Sequence, residues 1–553
     1  MTSTPPLCAN AVSPVLNDVE SLRGEVEQLH QIINQQQVII DQLSTDNKIL
    51  KARISQLEKE LEAQKKLKGK PKLKASRLNE TKPTDKDPDK RRASGKRSKK
   101  GGFGVDKPWK IEPENLPKGA KLHQYREYDV QELTIERCNI RFLLGEYILP
   151  DGSIVRAQLP PEYQHTGHFG PVLVSYILHE HYQNRVPQPL IREQLNDWGI
   201  DISTGQINRI LSEGLDEFVT EQSAVLKEGL STCAYIHTDD TGARHDGKNG
   251  YCTVVGNDLF SYFKSSQSKS RVNFLEVLQG GTLSYVLNDE SRDYLEMSGL
   301  AAKHLSTLSF SSTVLATEHE QWEEYLSSVG ICTPNAIRVV TEAALLGGLI
   351  ESGVSAQLII LSDGAGQFNL LVHALCWIHA ERSIRKLEGS TARFRQNIDE
   401  VQGLIWDYYQ ELKAYQLAPS ETEKQRLDQR FDEIFGRCYL QHATLSNALL
   451  QFRSKKEQLL QVLDAPDIPL HNNQAESDIR ERVIRQKISG GTRSQLGRQA
   501  RDTMVGLKKT CRKLGVSFWE YLLSRVRGDP SIESLAELLK RKAMESKQVA
   551  QAT

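Results

Sequence analysis

Three acidic residues stand where their surroundings suit metal chemistry. Asp239 lies in Tyr235-Ile-His-Thr-Asp-Asp-Thr241, Asp363 in Leu358-Ile-Ile-Leu-Ser-Asp363-Gly364, and Glu476 in His471-Asn-Asn-Gln-Ala-Glu476. The first two follow apolar lead-ins and read as buried strands that end on an acid. Chemistry in open α/β sheets gathers outside the carboxyl ends of strands, so two Asp residues at one edge could hold a divalent cation. Two Mg²⁺ (or Mn²⁺) ions about 4 Å apart can activate an attacking oxygen and stabilise a leaving one in phosphoryl transfer. Mg²⁺ takes hard oxygen ligands and keeps waters, so a few carboxylates suffice. No Ser–His–Asp set and no phosphate-binding glycine loop competes, so neither ATP nor a covalent intermediate on the protein is expected.

The third acid needs a separate argument. Glu476 falls in a helix predicted to begin near Asn472 or Asn473, and the bland reading is a surface pair with Arg480. Ala475, Glu476, Ile479 and Val483 share one stripe, however, so the carboxylate sits at or beside a buried face, where an unpaired charge is costly. A metal or a basic partner is therefore expected near it. Arg480, Arg482 and Arg485 border the stripe, run on towards Gly490-Gly-Thr-Arg493, and are expected to line a phosphate path. Between the acids, His373 to Arg382 reads as a helix with Cys376 and His379 as a C-x-x-H pair. Two ligands alone make a poor zinc site, so these two are assigned to packing or positioning.

The elements that must hold the acids are legible in outline. After Asp239-Asp240, Gly247 to Gly250 reads as a hairpin turn, with strands over 251–255 and 260–263. A strand with an acid, a hairpin, further β-structure, helices and a second acid-ended strand suit a ribonuclease-H-like mixed sheet, placed at 229–525. Two apolar stripes predict a helical insertion over about 385–468: Ile398, Val401, Ile405, Tyr408 and Leu412, then Leu427, Phe431, Ile434 and Phe435. Residues 290–350 form an insertion with no assigned role, and 526–553 a C-terminal helix and tail.

Upstream, residues 161–228 read as helical. A helix ending at Gly199 is followed by Ser203, which can cap a helix from Thr204 to Leu211. This is the helix-turn-helix pattern, with Gln206, Asn208 and Arg209 as exposed DNA readers, although many helix pairs with this spacing never touch DNA. Residues 103–160 look like a small β-rich unit, with strands over 129–135 and 140–144 and a turn at Leu149-Pro-Asp-Gly-Ser153.

The chain of 553 residues is too long for one core, and its formal charge of zero hides an asymmetry. Residues 1–15 are expected to be disordered. At 16–64, Val19, Val26, Ile33, Ile40, Asn47, Ile54 and Leu61 repeat every seven residues, with Leu22, Leu29, Gln36, Leu43, Leu50 and Leu57 three places on. That is the seam of a parallel two-stranded coiled coil, which implies a homodimer rather than a helix packed on its own chain; a different coiled-coil partner is the alternative. Residues 65–102 are basic and predicted to be disordered. There Lys96, Arg97, Lys99 and Lys100 belong either to a solvated spacer or to a phosphate-neutralising arm, the reading adopted here. The eight cysteines include no CxxC pair, which fits a reducing cytosol. No apolar run spans a bilayer and no leader is evident, so a cytoplasmic, nucleoid-associated protein without a membrane partner is expected.

Together, Thr238-Asp239-Asp240-Thr241, Ser362-Asp363-Gly364, Cys376-Trp-Ile-His379 and Asn472-Asn473-Gln-Ala-Glu476 resemble the insertion sequence 66 family of bacterial DDE transposases, over roughly residues 125–525. The resemblance implies that Asp239, Asp363 and Glu476 form the DDE triad of a ribonuclease-H-like domain that cuts and joins double-stranded DNA at the element's ends, with accessory proteins of the same element. The Cys-rich zinc-binding segment frequent in the family is reduced here to Cys138, and position 240 is Asp where many relatives have Glu, so whether Asp239 or Asp240 is the first metal ligand is left to geometry. Two other readings remain: a catalytically inactive DNA-binding regulator derived from a transposase, and a coiled-coil scaffold.

Overall fold

The strand that carries Asp239 is the centre of the largest sheet. The computed structural model describes Ile33, Gln36, Gln37 and residues 108–552, except 116, 127–129, 131–132, 165–166, 388, 390 and 530. The basic linker, Asn47 and all the named seam residues except Ile33 and Gln36 lie outside the described residues; Ile33, Gln36 and Gln37 are helical. Two units divide the chain at residues 130 and 131. In the first, the described residues of 108–126 form neither helix nor strand.

The second unit opens with a short hairpin, β1 (Glu146–Ile148) and β2 (Ile154–Arg156), around the expected 149–153 turn. The strands expected at 129–135 and 140–144 do not form among the described residues. Their apolar side chains, such as Leu133 and Leu143, are exposed. Four helices follow: α1 (Pro171–Tyr182), α2 (Gln188–Asp197), α3 (Thr204–Ser212) and α4 (Asp216–Thr232).

The central sheet then assembles from β3 (Tyr235–His245), β4 (Lys248–Gly256), β5 (Ser261–Ser266), β8 (Ile359–Ser362) and β9 (Val372–Leu375), in the order β5-β4-β3-β8-β9. β3, β4 and β5 are antiparallel neighbours, while β8 and β9 run parallel to β3. Two expectations need correction here. β3 does not end on its acids but continues to His245, because β4 pairs with it as far as His245–Lys248. The turn is Asp246-Gly247, both with positive φ (47° and 72°), the two-residue geometry that matches strand twist, and Lys248 to Gly250 belong to β4.

Between β5 and β8 lie α5 (Arg271–Leu278), β6 (Tyr285–Val286), α6 (Asp289–Met297), α7 (Ala302–Leu305), β7 (Val314–Ala316), α8 (His319–Ser328) and α9 (Pro334–Glu351). After β9 come α10 (Trp377–Arg385), α11 (Ala392–Leu417), α12 (Glu421–Phe435), α13 (Ala443–Arg453) and α14 (Lys456–Leu459). Both apolar stripes expected there are buried. The chain closes with α15 (Asn473–Ser489), α16 (Gln495–Lys513), α17 (Phe518–Arg527) and α18 (Leu535–Ala552).

The sheet is buried on both faces, as α/β packing requires. Ile236 and Ile360 join a core that runs from α1 to α18, whereas Ile359, Leu361, Ala374 and Leu375 join the core of α10–α13. Ala475 and Ile479 of α15 pack on Ala243, Cys252, Val254 and Phe263. The first and last helices share one core with the sheet, so the 161–228 region is built into the body of the molecule.

Candidate active site

The registers bring two acids together. β3 pairs with β8 only from Tyr235–Ile359 to His237–Leu361. Asp239 and Asp363 each lie two residues past the last pair, and the Asp363 charge acts on Asp239. β8 stops at Ser362, so the sheet opens at this point. Ser362 Oγ lies 2.8 Å from His373 Nε2 on β9 and accepts the Gly364 amide. Gly364 has φ 91°, a conformation that glycine tolerates, and the Asp363 carboxylate accepts the Ala365 amide at 3.0 Å.

The third acid is delivered by α15, which is tied along β3 at both ends. At its start, Asn472 is fully buried and donates from Nδ2 to the Thr238 carbonyl at 2.8 Å, while its own amide meets Cys376 Sγ at 3.2 Å. Past its end, Thr492 exchanges main-chain hydrogen bonds with Arg244 and Asp246. Glu476, in the first turn, lies 3.6 Å from His379 Nε2 and 3.9 Å from Arg382 Nη1. Arg382 also donates to His379 at 2.9 Å. Asn473 is exposed at the first helical position.

Electrostatics register the convergence. Burial pushes the Asp239 carboxyl up to about 7, the Asp240 amide opposes this with a hydrogen bond, and the charges of Asp363, Asp240 and Glu476 add to the rise. Asp240 is also raised, by burial and Asp363, but its oxygens are engaged: Gln367 Nε2 donates at 2.6 Å and Lys269 Nζ stands 3.8 Å away. Asp239 has no side-chain donor of this kind, and one oxygen of Glu476, Oε1, is buried without a hydrogen bond.

Among the described residues, no three His, Cys, Asp or Glu side chains close on one point that would hold a metal ion. The donor set still fits Mg²⁺, a hard cation that uses one or two carboxylates and fills its other positions with water and substrate phosphate. Asp239, Asp363 and Glu476 supply such oxygens.

Other expected site residues fall elsewhere. Arg482 and Arg485 do not line a phosphate path; both are 1% exposed. The buried face of α15 is centred on Ala475, Asp478, Ile479, Arg482 and Arg485, so the two guanidinium groups point inward. Arg482 lies 3.7 Å from Asp502, and Arg485 donates to the carbonyls of His181 and Tyr182. Arg480 is exposed. Ser203 caps α3 in a reciprocal pair with Gln206, whose side chain is thereby turned back onto the Ser203 amide. Asn208 accepts from Gln188, and Arg209 is exposed. No local pattern marks Gln367 or Lys269. His373, expected to open a helix, lies instead in β9, and the helix begins only at Trp377.

A mixed α/β protein in which the charges of Asp363 and Glu476, from two other elements, act on Asp239 in the central sheet is the class that these features define. The chain belongs to the IS66 transposase family: the model "Transposase IS66 family" matches residues 166–303 and 345–500, which include all three acids. It is also similar to "Uncharacterized protein y4jO" of Sinorhizobium fredii (strain NBRC 101917 / NGR234), with 40% identity over 322 residues, 58% of this chain and all of that protein. No helix among the described residues is long and apolar enough to cross a membrane.

Proposed function

We propose that this chain is a DDE-type transposase that binds the ends of an insertion element and catalyses metal-dependent cleavage and strand transfer of DNA. The observation that carries the reading is the tie of the Glu476 helix, through Asn472, to Thr238 beside Asp239, with Asp363 on the neighbouring strand; burial first, and then the charges of Asp363 and Glu476, raise the Asp239 carboxyl. Crowded carboxylates repel and are costly to keep charged together, and a site that holds cations is the setting in which such crowding is useful. The strand order β5-β4-β3-β8-β9 supports a ribonuclease-H-like core, with α11–α14 as its helical insertion.

In this reading Asp239, Asp363 and Glu476 hold one or two Mg²⁺ or Mn²⁺ ions, which supply charge stabilisation at the attacking and leaving oxygens. Asp239 is the first ligand, because Asp240 is occupied by Gln367 and Lys269. Asn472 and Cys376 fix the start of α15, while His379 and Arg382 orient Glu476. Arg480 faces the DNA backbone. α2 and α3 form a helix-turn-helix in which Arg209 and Asn208 read DNA, and Gln206 holds the reading helix in shape. Lys96, Arg97, Lys99 and Lys100 give sequence-blind attraction, and the heptad segment gives a parallel homodimer. Accessory proteins of the same element are further partners.

The test is Mg²⁺-dependent cleavage of a duplex carrying the element's end. Asp239→Asn, Asp363→Asn and Glu476→Gln should each abolish cleavage and leave DNA binding in place, whereas Asp240→Asn should retain more activity than Asp239→Asn. Full activity in Glu476→Gln would remove it from the triad.

A further inference from the structure

A second concave site lies on another side of α15. The loop after α1, the middle of α15 and the junction of α16 with α17 enclose a cleft of about 660 Å³. Arg185, Lys508, Lys509, Arg512 and Ser517 line it, with Glu481 as the acid among the lining residues. Glu481 is saturated. Arg185 grips it through two hydrogen bonds, at 2.9 and 2.6 Å, and Lys508 binds it at 2.6 Å. Burial alone would raise the Glu481 carboxyl, but these two cations pull it down to about 2. One carboxylate therefore serves two cations, and the cleft retains a net positive charge. Lys509 makes a 3.3 Å contact with Asp478, which Lys513 already holds at 2.7 Å. Arg512 is exposed on the last turn of α16. Arg185 adopts φ 64°, a conformation that non-glycine residues hold only when their surroundings enforce it.

We propose that this cleft is a docking site for the phosphodiester backbone of DNA, separate from the three acids. The proposal rests on the transposase reading and extends it to where the bound strand runs. At 100° and 1.5 Å per residue, Glu481 lies about 140° around α15 from Glu476 and about 7.5 Å along it. The exposed Arg480 falls between them, about 40° from Glu476. A strand leaving the acids can thus follow Arg480 into a cleft whose polar, cationic lining suits phosphate rather than an apolar ligand. Lys508, Lys509 and Arg512 lie beyond the segments matched by the family model.

The test uses the full-length chain without divalent cation, so that no chemistry intervenes. Arg512→Gln alters an exposed side chain, and the fold should survive. Its affinity for a random-sequence duplex should fall about three- to tenfold at 0.1 M salt, and the slope of log affinity against log salt should shrink by about 0.9. Duplex DNA should also protect Arg512 of the wild-type chain from phenylglyoxal, as mapped by mass spectrometry. Unchanged affinity and slope with undiminished Arg512 reactivity overturn the proposal. Protection by millimolar inorganic phosphate but not by duplex overturns it too, because the site would then serve free phosphate. A chain whose Arg512 is protected by DNA but which never cleaves element ends keeps the cleft and refutes the transposase chemistry, so the two failures are distinguishable.

Discussion

Asn472 donates a hydrogen bond from its side chain to the main-chain carbonyl of Thr238, 2.8 Å away and 234 residues distant in sequence. β8 stops pairing with β3 at His237, and Asn472 takes the next carbonyl. One bond thus fixes the start of the helix that carries Glu476 against the residue before Asp239. Asn472→Ala leaves a buried carbonyl without its donor, which costs about 1–3 kcal/mol. A small displacement of α15 then separates Glu476 from Asp239. Cleavage should fall at least a hundredfold, while duplex affinity changes less than threefold. Equal loss of both in a folded variant would show that Asn472 serves stability alone.

The three acids make a prediction about stability with the opposite sign to most buried substitutions. The folded Asp239 carboxyl is raised to about 7, against about 3.9 in an unfolded chain. The folded state therefore holds this proton more tightly, and stability is lost as pH rises between those values. At pH 8 without divalent cation, Asp239→Asn should raise the melting temperature by about 1 °C, on the order of 1 kcal/mol after discounting for partial exposure. Millimolar Mg²⁺ should stabilise the wild type by mass action and the variant much less. Equal stabilisation of both by Mg²⁺ would place the ion elsewhere.

Buried histidines predict lability in acid. Burial lowers His181 and His373 to about 4 and His237 to about 3, and both ring nitrogens of His237 are buried without partners. Each stays neutral in the fold, while the unfolded chain takes a proton near 6.5. Their contribution is present above pH 6.5 and is lost as pH falls towards 4. Three such groups, offset by Asp239, leave about two protons, or roughly 3 kcal/mol per pH unit between 6 and 5. Urea midpoints at pH 7.5, 6 and 5 give the slope, and His237→Leu should reduce it by about one proton. An unaltered slope in that variant would mean that His237 protonates within the fold.

What was legible in the sequence followed periodicity. Strands around Asp239 and Asp363, the capped α3, the stripes of α11 and α12, and the helix bearing Glu476 all announce themselves by local spacing. Extent was harder to read. β3 runs past its acids because β4 pairs with it, a tertiary fact with no local marker. The buried face of α15 includes Arg482 and Arg485, which helical spacing alone places only at the border of the apolar stripe. Arg482 and Arg485 have long apolar stems that can pack, and Asp502 and the carbonyls that accept from them lie on other elements. Gln367, His373 and Lys269 act through contacts that only the folded chain creates.

DNA affinity should separate into two parts, one from outside the described residues and one from α3. Replacing Lys96, Arg97, Lys99 and Lys100 with Ala removes up to four phosphate contacts. Binding to all duplexes should weaken alike, and the salt slope should flatten by up to about 3–4. Arg209→Ala should instead lower preference for the element's ends over random duplex by about 1–3 kcal/mol if it reads a base, with little change of slope. Gln206→Ala behaves differently again, because that side chain completes the cap on Ser203. It should cost about 0.5–1 kcal/mol of stability and leave base preference largely intact. Anisotropy titrations of specific and random duplexes at several salt concentrations resolve all three. If the linker substitutions alter preference without touching the slope, the arm reads sequence and the roles of the two segments are exchanged.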